Sequence, residues 1–199
     1  MIKNIIFDIG NVLTVFAWEE FVDSFGYSGE IKRRIARATV LSPAWNEYDR
    51  GVLSDEEVLG LFIANDPELE QEIREVNRDI SGILKRCDYA IPWIEALRKR
   101  GFKVYYLSNF FRKAELECAQ ALDFISHMDG GILSYKEKLI KPDEAIYRLL
   151  TERYGLNVAE CVFLDDKEEN CDAAKSFGMH VIRFRDQKQA AGELENIIS

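Results

Sequence analysis

Four short apolar runs, each broken off by a polar side chain, constrain the fold of this chain more than any other feature. They are Ile5-Ile6-Phe7 before Asp8, Val104-Tyr105-Tyr106-Leu107 before Ser108, Cys161-Val162-Phe163-Leu164 before Asp165, and His180-Val181-Ile182 before Arg183. Continuous β-branched and aromatic runs of this length suit strands buried on both faces. Helical segments separate them. Ile91 to Arg100 is stopped by Gly101; Pro142 to Tyr154 has proline in its first turn and Gly155 past its end; Glu168 to Phe177 is stopped by Gly178. Strands alternating with helices predict an α/β fold, a doubly wound, Rossmann-like parallel sheet with helices on both faces.

The stretch from Trp18 to Arg86 is different. It carries no strand run, only helical periodicity broken at Gly26, Ser42-Pro43, Gly51 and Asp66-Pro67, and Ser54 with Glu57 reads as a capping box opening Asp55 to Ile63. The expected organisation is therefore a core of residues 1–16 and 88–199 with a small inserted α-helical cap at 17–87. The insertion leaves the core just after the C-terminal edge of the first strand, where open α/β sheets bind ligands, so the helices are placed to act as a lid. Trp18, Trp45, Tyr48, Asp49 and Arg50 are the cap residues that could reach over the site, although aromatic residues at helical spacing also serve as core. Phe110 and Phe111 either wall the pocket or pack the next helix.

Asp8, Ser108 with Asn109, and Asp165 with Asp166 all end strands at one edge, and parallel neighbouring strands would bring them together. Like-charge repulsion opposes such a cluster of carboxylates, and a divalent cation removes it. Hard oxygen ligands in a chain with only two histidines point to Mg²⁺ rather than zinc or copper. A carboxylate beside Mg²⁺ can attack phosphorus, so Asp8 is the candidate nucleophile, forming an aspartyl-phosphate. Phosphoryl transfer then needs positive charge and positioning. Lys141, just before the helix that starts near Pro142, can supply the charge together with the helix N-terminus. Ser108 and Asn109 would offer a hydroxyl and an amide or backbone N–H to the phosphoryl oxygens.

Composition narrows the partners. The chain has 199 residues, 47% of them hydrophobic, and a net charge of −9. That sum repels nucleic acid, and the basic cluster Lys32-Arg33-Arg34 with Arg37 reads as a solvated helix face. Cys87, Cys118, Cys161 and Cys171 form no CxxC pair, as expected of reduced thiols. The apolar run at the N-terminus is too short for a signal peptide, and no segment approaches the roughly 20 apolar residues that span a bilayer. These features predict a cytoplasmic protein that binds neither nucleic acid nor membrane. The helical lid over the site suggests a small, closed-over phosphorylated metabolite as substrate, and the chain is expected as a monomer or homodimer, a state the sequence does not set.

Phe7-Asp8-Ile9-Gly10-Asn11-Val12-Leu13, Leu107-Ser108-Asn109, Lys141-Pro142, and Phe163-Leu164-Asp165-Asp166 followed by Asn170 resemble the four ordered motifs of the haloacid dehalogenase-like hydrolase superfamily. The likeness spans nearly the whole chain. The first motif is similar to the FDxGNV group, which includes sugar-phosphate phosphatases and resembles the N-terminal domain of soluble epoxide hydrolases. The segment Trp45 to Gly51 resembles the cap of that group. This resemblance implies that Asp8 is nucleophile and metal ligand, with the Gly10 carbonyl and Asp166 completing the protein's share of the metal shell. It also implies that Asn11, Ser108, Asn109 and Lys141 hold phosphate, that Asp165 orients waters or Lys141, and that Asn170 fixes the loop. Asp172 is read as surface charge.

Two departures matter. The superfamily's phosphatases usually carry a second Asp two residues after the nucleophile, as general acid and base; here that position is Gly10. A slow or leaving-group-selective phosphatase is expected, in which water, substrate or a cap residue moves the proton. The residues after the first motif, Thr14 to Ala17, are neutral where relatives often carry acids. Two competing readings are a catalytically weak or inactive phosphometabolite-binding protein, which Gly10 favours, and a haloacid dehalogenase, which the Asp165-Asp166 pair disfavours.

Overall fold

The computed structural model describes residues 1–198. Its first strand, β1 (Asn4–Phe7), has all four residues buried, so it must be covered on both faces and paired on both edges. After β1 come β2 (Thr14–Phe16), then α1 (Trp18–Asp23), α2 (Gly29–Ala38), α3 (Ala44–Arg50), α4 (Asp55–Asn65) and α5 (Glu70–Arg78). The chain continues through β3 (Leu84–Arg86), α6 (Ala90–Lys99), β4 (Lys103–Ser108), α7 (Arg112–Glu117), β5 (Gly130–Leu133) and α8 (Ser134–Glu137). It ends with α9 (Glu144–Tyr154), β6 (Cys161–Asp165), α10 (Glu168–Phe177), β7 (His180–Arg183) and α11 (Gln187–Ile198).

The main sheet is parallel throughout, in the order β5-β4-β1-β6-β7. Central β1 pairs with β4 on one side and β6 on the other, Ile5 opposite both Val104 and Val162. Because strand side chains alternate, odd and even positions separate into two cores. Ile5 and Phe7 join Val104, Val162 and Leu164 in one cluster with Trp93, Ile94 and Leu97 of α6 and Leu194 of α11. Ile6 joins Tyr105, Leu107 and Phe163 in the other, with Ile146, Tyr147 and Leu150 of α9 and Ala174 of α10. Helices on both faces of a parallel sheet make the doubly wound α/β architecture that the strand pattern predicts.

Several elements differ from the sequence-based expectation. The stretch ending at Arg86 is not wholly helical, because Leu84–Arg86 pairs antiparallel with Thr14–Phe16 in a separate two-stranded ribbon. Polar Lys85 and Arg86 hide that strand, since only one of its three residues is buried. The ribbon ties the two ends of the helical stretch together: Ala17 N–H donates to Ile83 O at 2.8 Å and Cys87 N–H to Leu13 O at 3.0 Å. The edge strand β5 also escapes a pattern search, because Gly130-Gly131 opens it. A Cβ at Gly131 would stand 2.4 Å from Tyr106 Cγ, so the neighbouring ring excludes any side chain there. Helix α9 begins at Glu144 rather than Pro142, leaving Lys141 on a connecting segment.

Between β2 and β3, helices α1–α5 pack by their apolar faces. The capping box of α4 is formed, with Ser54 N–H donating to Glu57 Oε2 at 2.8 Å and Glu57 N–H to Ser54 Oγ at 3.3 Å. Arg34 of α2 holds Asp66 through two N–H donors, at 2.8 and 2.6 Å. Trp45, Tyr48 and Phe62 form an aromatic cluster that continues onto Phe111, which precedes α7: Tyr48 stacks on Phe111 at 4.3 Å and Trp45 meets it edge-on at 5.1 Å. Gly51 ends α3 with φ +65°, and a Cβ there would lie 2.7 Å from Tyr135 Cβ, so the close approach of α3 to α8 requires glycine.

Candidate active site at the carboxyl edge of the sheet

The polar residues that end the central strands converge. Asp8 follows β1, Ser108 closes β4 and Asp165 closes β6, with Asp166 next in sequence. Asp8 N–H donates to Leu164 O at 2.8 Å, extending the β1–β6 pairing into the site. Carboxylate oxygens of Asp8, Asp165 and Asp166 lie within 4.8 Å of one another.

One buried ammonium, that of Lys141, faces this cluster, and the exposed Lys167 lies at the same cavity. Lys141 Nζ stands 2.9 Å from Asp8 Oδ1 and 2.6 Å from Asp165 Oδ2, and it also donates to Leu107 O at 2.9 Å. Its side chain is 1% exposed, and Nζ sits 5.3 Å from the Phe163 ring centroid. Burial alone would lower the Lys141 pKa, but the nearby charges of Asp165 and Asp8 outweigh it and hold the ammonium well above the ordinary lysine range. Burial likewise pushes the Asp8 carboxyl up, to about 6, against the pull of Lys141; Asp165 adds to the rise and Ser108 opposes it.

Asp165 is saturated by donors. Besides Lys141 it accepts from Asn170 Nδ2 at 3.0 Å and from the Lys167 N–H at 2.8 Å. Asn170 is itself buried, and Tyr147 OH donates to its carbonyl at 3.0 Å. Asp166 has a single amide donor, Asn11 Nδ2 at 3.2 Å, and burial raises its pKa. Asp8 Oδ1 is buried and lacks a hydrogen bond of good geometry despite its ion pair with Lys141. The oxygens still open to a ligand therefore belong to Asp8 and Asp166. Three carboxylates against the buried Lys141 and the exposed Lys167 still leave net negative charge, which fits a hard divalent cation. Gly10 lines the same cavity.

Two sequence-derived assignments take a different form. The Asn109 side chain is committed to Lys141: Nδ2 donates to Lys141 O at 2.9 Å and Oδ1 accepts the Lys141 N–H at 2.7 Å. It positions the lysine instead of offering its amide to a ligand. Asn11 is divided similarly between Asp166 and the Phe16 N–H, which donates to Oδ1 at 3.2 Å. Ser108 is buried beside Asp8.

A cavity of about 510 Å³ opens over this cluster, with Asp8, Lys141, Asp166 and Asn170 on its floor. Its walls come from Phe16, Trp18, Leu41, Trp45, Phe110 and Phe111. Asp49 of α3 also reaches it, whereas Tyr48 and Arg50 do not: Tyr48 is buried in the aromatic cluster and Arg50 pairs with Glu47 at 3.6 Å. Ser42, whose buried hydroxyl lacks a hydrogen-bond partner, and Lys167 line the cavity too. No periodicity marks Ser42; the only trace of Lys167 in the sequence is its position after Asp165-Asp166.

Comparison with known proteins identifies the family and the fold. The model of the haloacid dehalogenase-like hydrolase family matches residues 2–178. Sesquiterpene phosphatase astK of Aspergillus oryzae is 25% identical over 201 residues, covering 98% of this chain and 96% of that protein. Among solved structures, a HAD family enzyme of Bacteroides thetaiotaomicron in complex with magnesium and inorganic phosphate superposes with a TM-score of 0.71 at 21% identity, over 94% of this chain and 96% of that one. L-2-haloacid dehalogenase of Xanthobacter autotrophicus, with chloropropionic acid covalently bound, superposes at 0.68 and 21% identity, over 98% and 83% of the two chains. At these identities the two structures share the fold. No helix among the described residues is long and apolar enough to cross a membrane, and all four cysteines are free.

Proposed function

This chain belongs to the haloacid dehalogenase-like hydrolases, and from that premise we propose that it hydrolyses the phosphomonoester of a small metabolite, with Asp8 as nucleophile and Mg²⁺ as cofactor. The observation that carries the proposal is the trio of carboxylates within 4.8 Å around a single buried ammonium. Asp8, the Gly10 carbonyl and Asp166 would hold the cation; Asp165, filled by donors, orients Lys141 instead. Bound there, the dication neutralises the clustered carboxylates and stabilises charge on the phosphoryl oxygens.

The remaining chemistry belongs to the side chains. An Asp8 oxygen attacks phosphorus, the bond to the ester oxygen breaks, and its electron pair leaves with the alcohol. Water then attacks the aspartyl-phosphate and returns Asp8 as a carboxylate. Lys141 keeps a fixed positive charge beside the transferring group, and Ser108 contributes its hydroxyl. Asn170 and Asn109 keep Asp165 and Lys141 in place. Residues 1–16 and 88–199 act as the hydrolytic core and 17–87 as a cap. The aromatic cavity walls, together with the sesquiterpene phosphatase among the relatives, support an alcohol with a sizeable apolar part. Carbon–halogen cleavage requires no cation, and the Asp166 carboxylate would then have no task.

Phosphate release from a panel of sugar phosphates, nucleotides, isoprenyl phosphates and an aryl phosphate, with Mg²⁺ and with EDTA, tests the reading. Release is expected only with Mg²⁺ and is expected to vanish in Asp8→Asn. Release that survives in Asp8→Asn refutes it.

A further inference from the structure

The cavity contains one carboxyl group that neither the cation cluster nor the lysine uses. Asp49 is 8% exposed, it lines the cavity shared by Asp8 and Lys141, and no hydrogen bond or ion pair engages its side chain among the described residues. Its backbone is fixed: the Ser134 hydroxyl, from α8 directly after β5, donates to Asp49 O at 2.6 Å. Lys138 Nζ donates to the carbonyl of Gly51 just beyond, and Tyr48, one residue earlier, stacks on Phe111. A desolvated acid without a partner is unfavourable for stability, yet three separate contacts hold α3 where it points one at the reaction site. On the other side of the cavity, the position two residues after the nucleophile is Gly10 and provides no proton. A Cβ built there would meet nothing within 4 Å.

We propose that Asp49 is the general acid and base of this hydrolase, supplying from α3 the proton transfer that Gly10 cannot. The proposal rests on the phosphomonoesterase reading. In the first step the Asp49 carboxyl gives its proton to the ester oxygen as that oxygen leaves phosphorus with the bonding pair, producing the free alcohol, the aspartyl-phosphate at Asp8 and an Asp49 carboxylate. In the second, the carboxylate takes a proton from the attacking water as the phosphorus–Asp8 bond breaks, its pair returning to Asp8. Inorganic phosphate leaves and Asp49 is again protonated. The ionisable groups facing Asp49 are Lys167 before α10, Asp8 after β1 and Lys141 before α9. Burial raises its pKa to about 7; Lys167 and Lys141 oppose that rise and Asp8 adds to it. The acid form is then available near neutrality, where a proton donor is most effective.

Leaving-group dependence tests the assignment. In Asp49→Asn, kcat/KM for hexyl phosphate should fall about 10²- to 10⁴-fold, the usual worth of a general acid. For 4-nitrophenyl phosphate, whose leaving oxygen needs no proton, the fall should be no more than about 10-fold on the same grounds. Because water activation is also lost, 4-nitrophenol should appear in a burst of one equivalent per enzyme. The wild-type decline of kcat/KM for hexyl phosphate above neutral pH should disappear in the variant. Adding Gly10→Asp to Asp49→Asn should restore hexyl phosphate turnover at least in part. Equal losses for both substrates, no loss for either, or the absence of a burst overturns the assignment while leaving the phosphatase reading intact. If wild-type enzyme with Mg²⁺ releases phosphate from neither substrate nor from the wider panel, both proposals fall.

Discussion

Lys141→Met removes the ammonium but keeps a stem of similar length, and it isolates the electrostatic balance of the site. Lys141 contacts Asp8 at 2.9 Å and Asp165 at 2.6 Å, and the three side chains are 1%, 10% and 0% exposed. Removing one partner of a buried pair leaves an uncompensated charge and typically destabilises by about 3–5 kcal/mol. For a chain of this size each kcal/mol shifts Tm by about 2–4 °C, so the melting temperature should drop by roughly 6–20 °C. Calorimetry in EDTA reads the protein's own charges without a cation to replace the lost one. Combining Lys141→Met with Asp165→Asn removes an orphaned charge as well as the ammonium, so the double variant should recover part of the loss; the thermodynamic cycle then gives a coupling well outside additivity. A drop below about 3 °C, or a double variant no more stable than the sum of the singles, would refute the idea that the ammonium balances the carboxylates.

Two further expectations concern parts of the fold that hold the site. Phe111 is 5% exposed, with Tyr48 stacked on it and Trp45 meeting it edge-on; Phe111→Ala should lower stability by about 3–5 kcal/mol, read from urea midpoints, and a loss below about 1 kcal/mol would mean that α3 is not held through this ring. Asp129 accepts from Val104 N–H at 3.0 Å and pairs with Lys103 at 2.9 Å and Arg98 at 3.3 Å. Burial alone would raise its pKa, but these donors pull it below the ordinary value. A depressed carboxylate contributes stability above its unfolded pKa of about 3.9 and loses it as pH falls through the folded value. Asp129→Asn should therefore be less stable than wild type at pH 7, with the gap closing at lower pH in urea titrations; a gap independent of pH would contradict the assignment.

What the sequence made legible was local. A buried strand and the polar residue that ends it are contiguous, so the sequence alone places Asp8, Ser108, Asp165 and Asp166 at one edge. The hidden strands were those whose sequence answers to a neighbour: Gly131 is glycine because the Tyr106 ring lies against it, and Lys85-Arg86 pairs with β2 along a ribbon that leaves both residues in solvent. Division of labour inside the site was equally non-local. Nothing in Leu107-Ser108-Asn109 says that the asparagine amide will be used up by the backbone of Lys141, 32 residues away. The placing of Asp49 follows from a bond between its carbonyl and Ser134, 85 residues on, and among the described residues no basic side chain pairs with its carboxyl; periodicity records neither.

The ribbon of β2 and β3 sets a boundary condition on how such a molecule can diverge. Since the outgoing and returning backbones are bonded to each other between Ala17 and Ile83, the intervening helices hang from a junction whose two ends already meet. A longer, shorter or differently folded segment that meets the same junction leaves β1, and the Asp8 that follows it, where they are. What the cavity admits can then drift while the carboxylate cluster beneath stays fixed. If Asp49 handles the proton, each new segment must also bring an acid of its own.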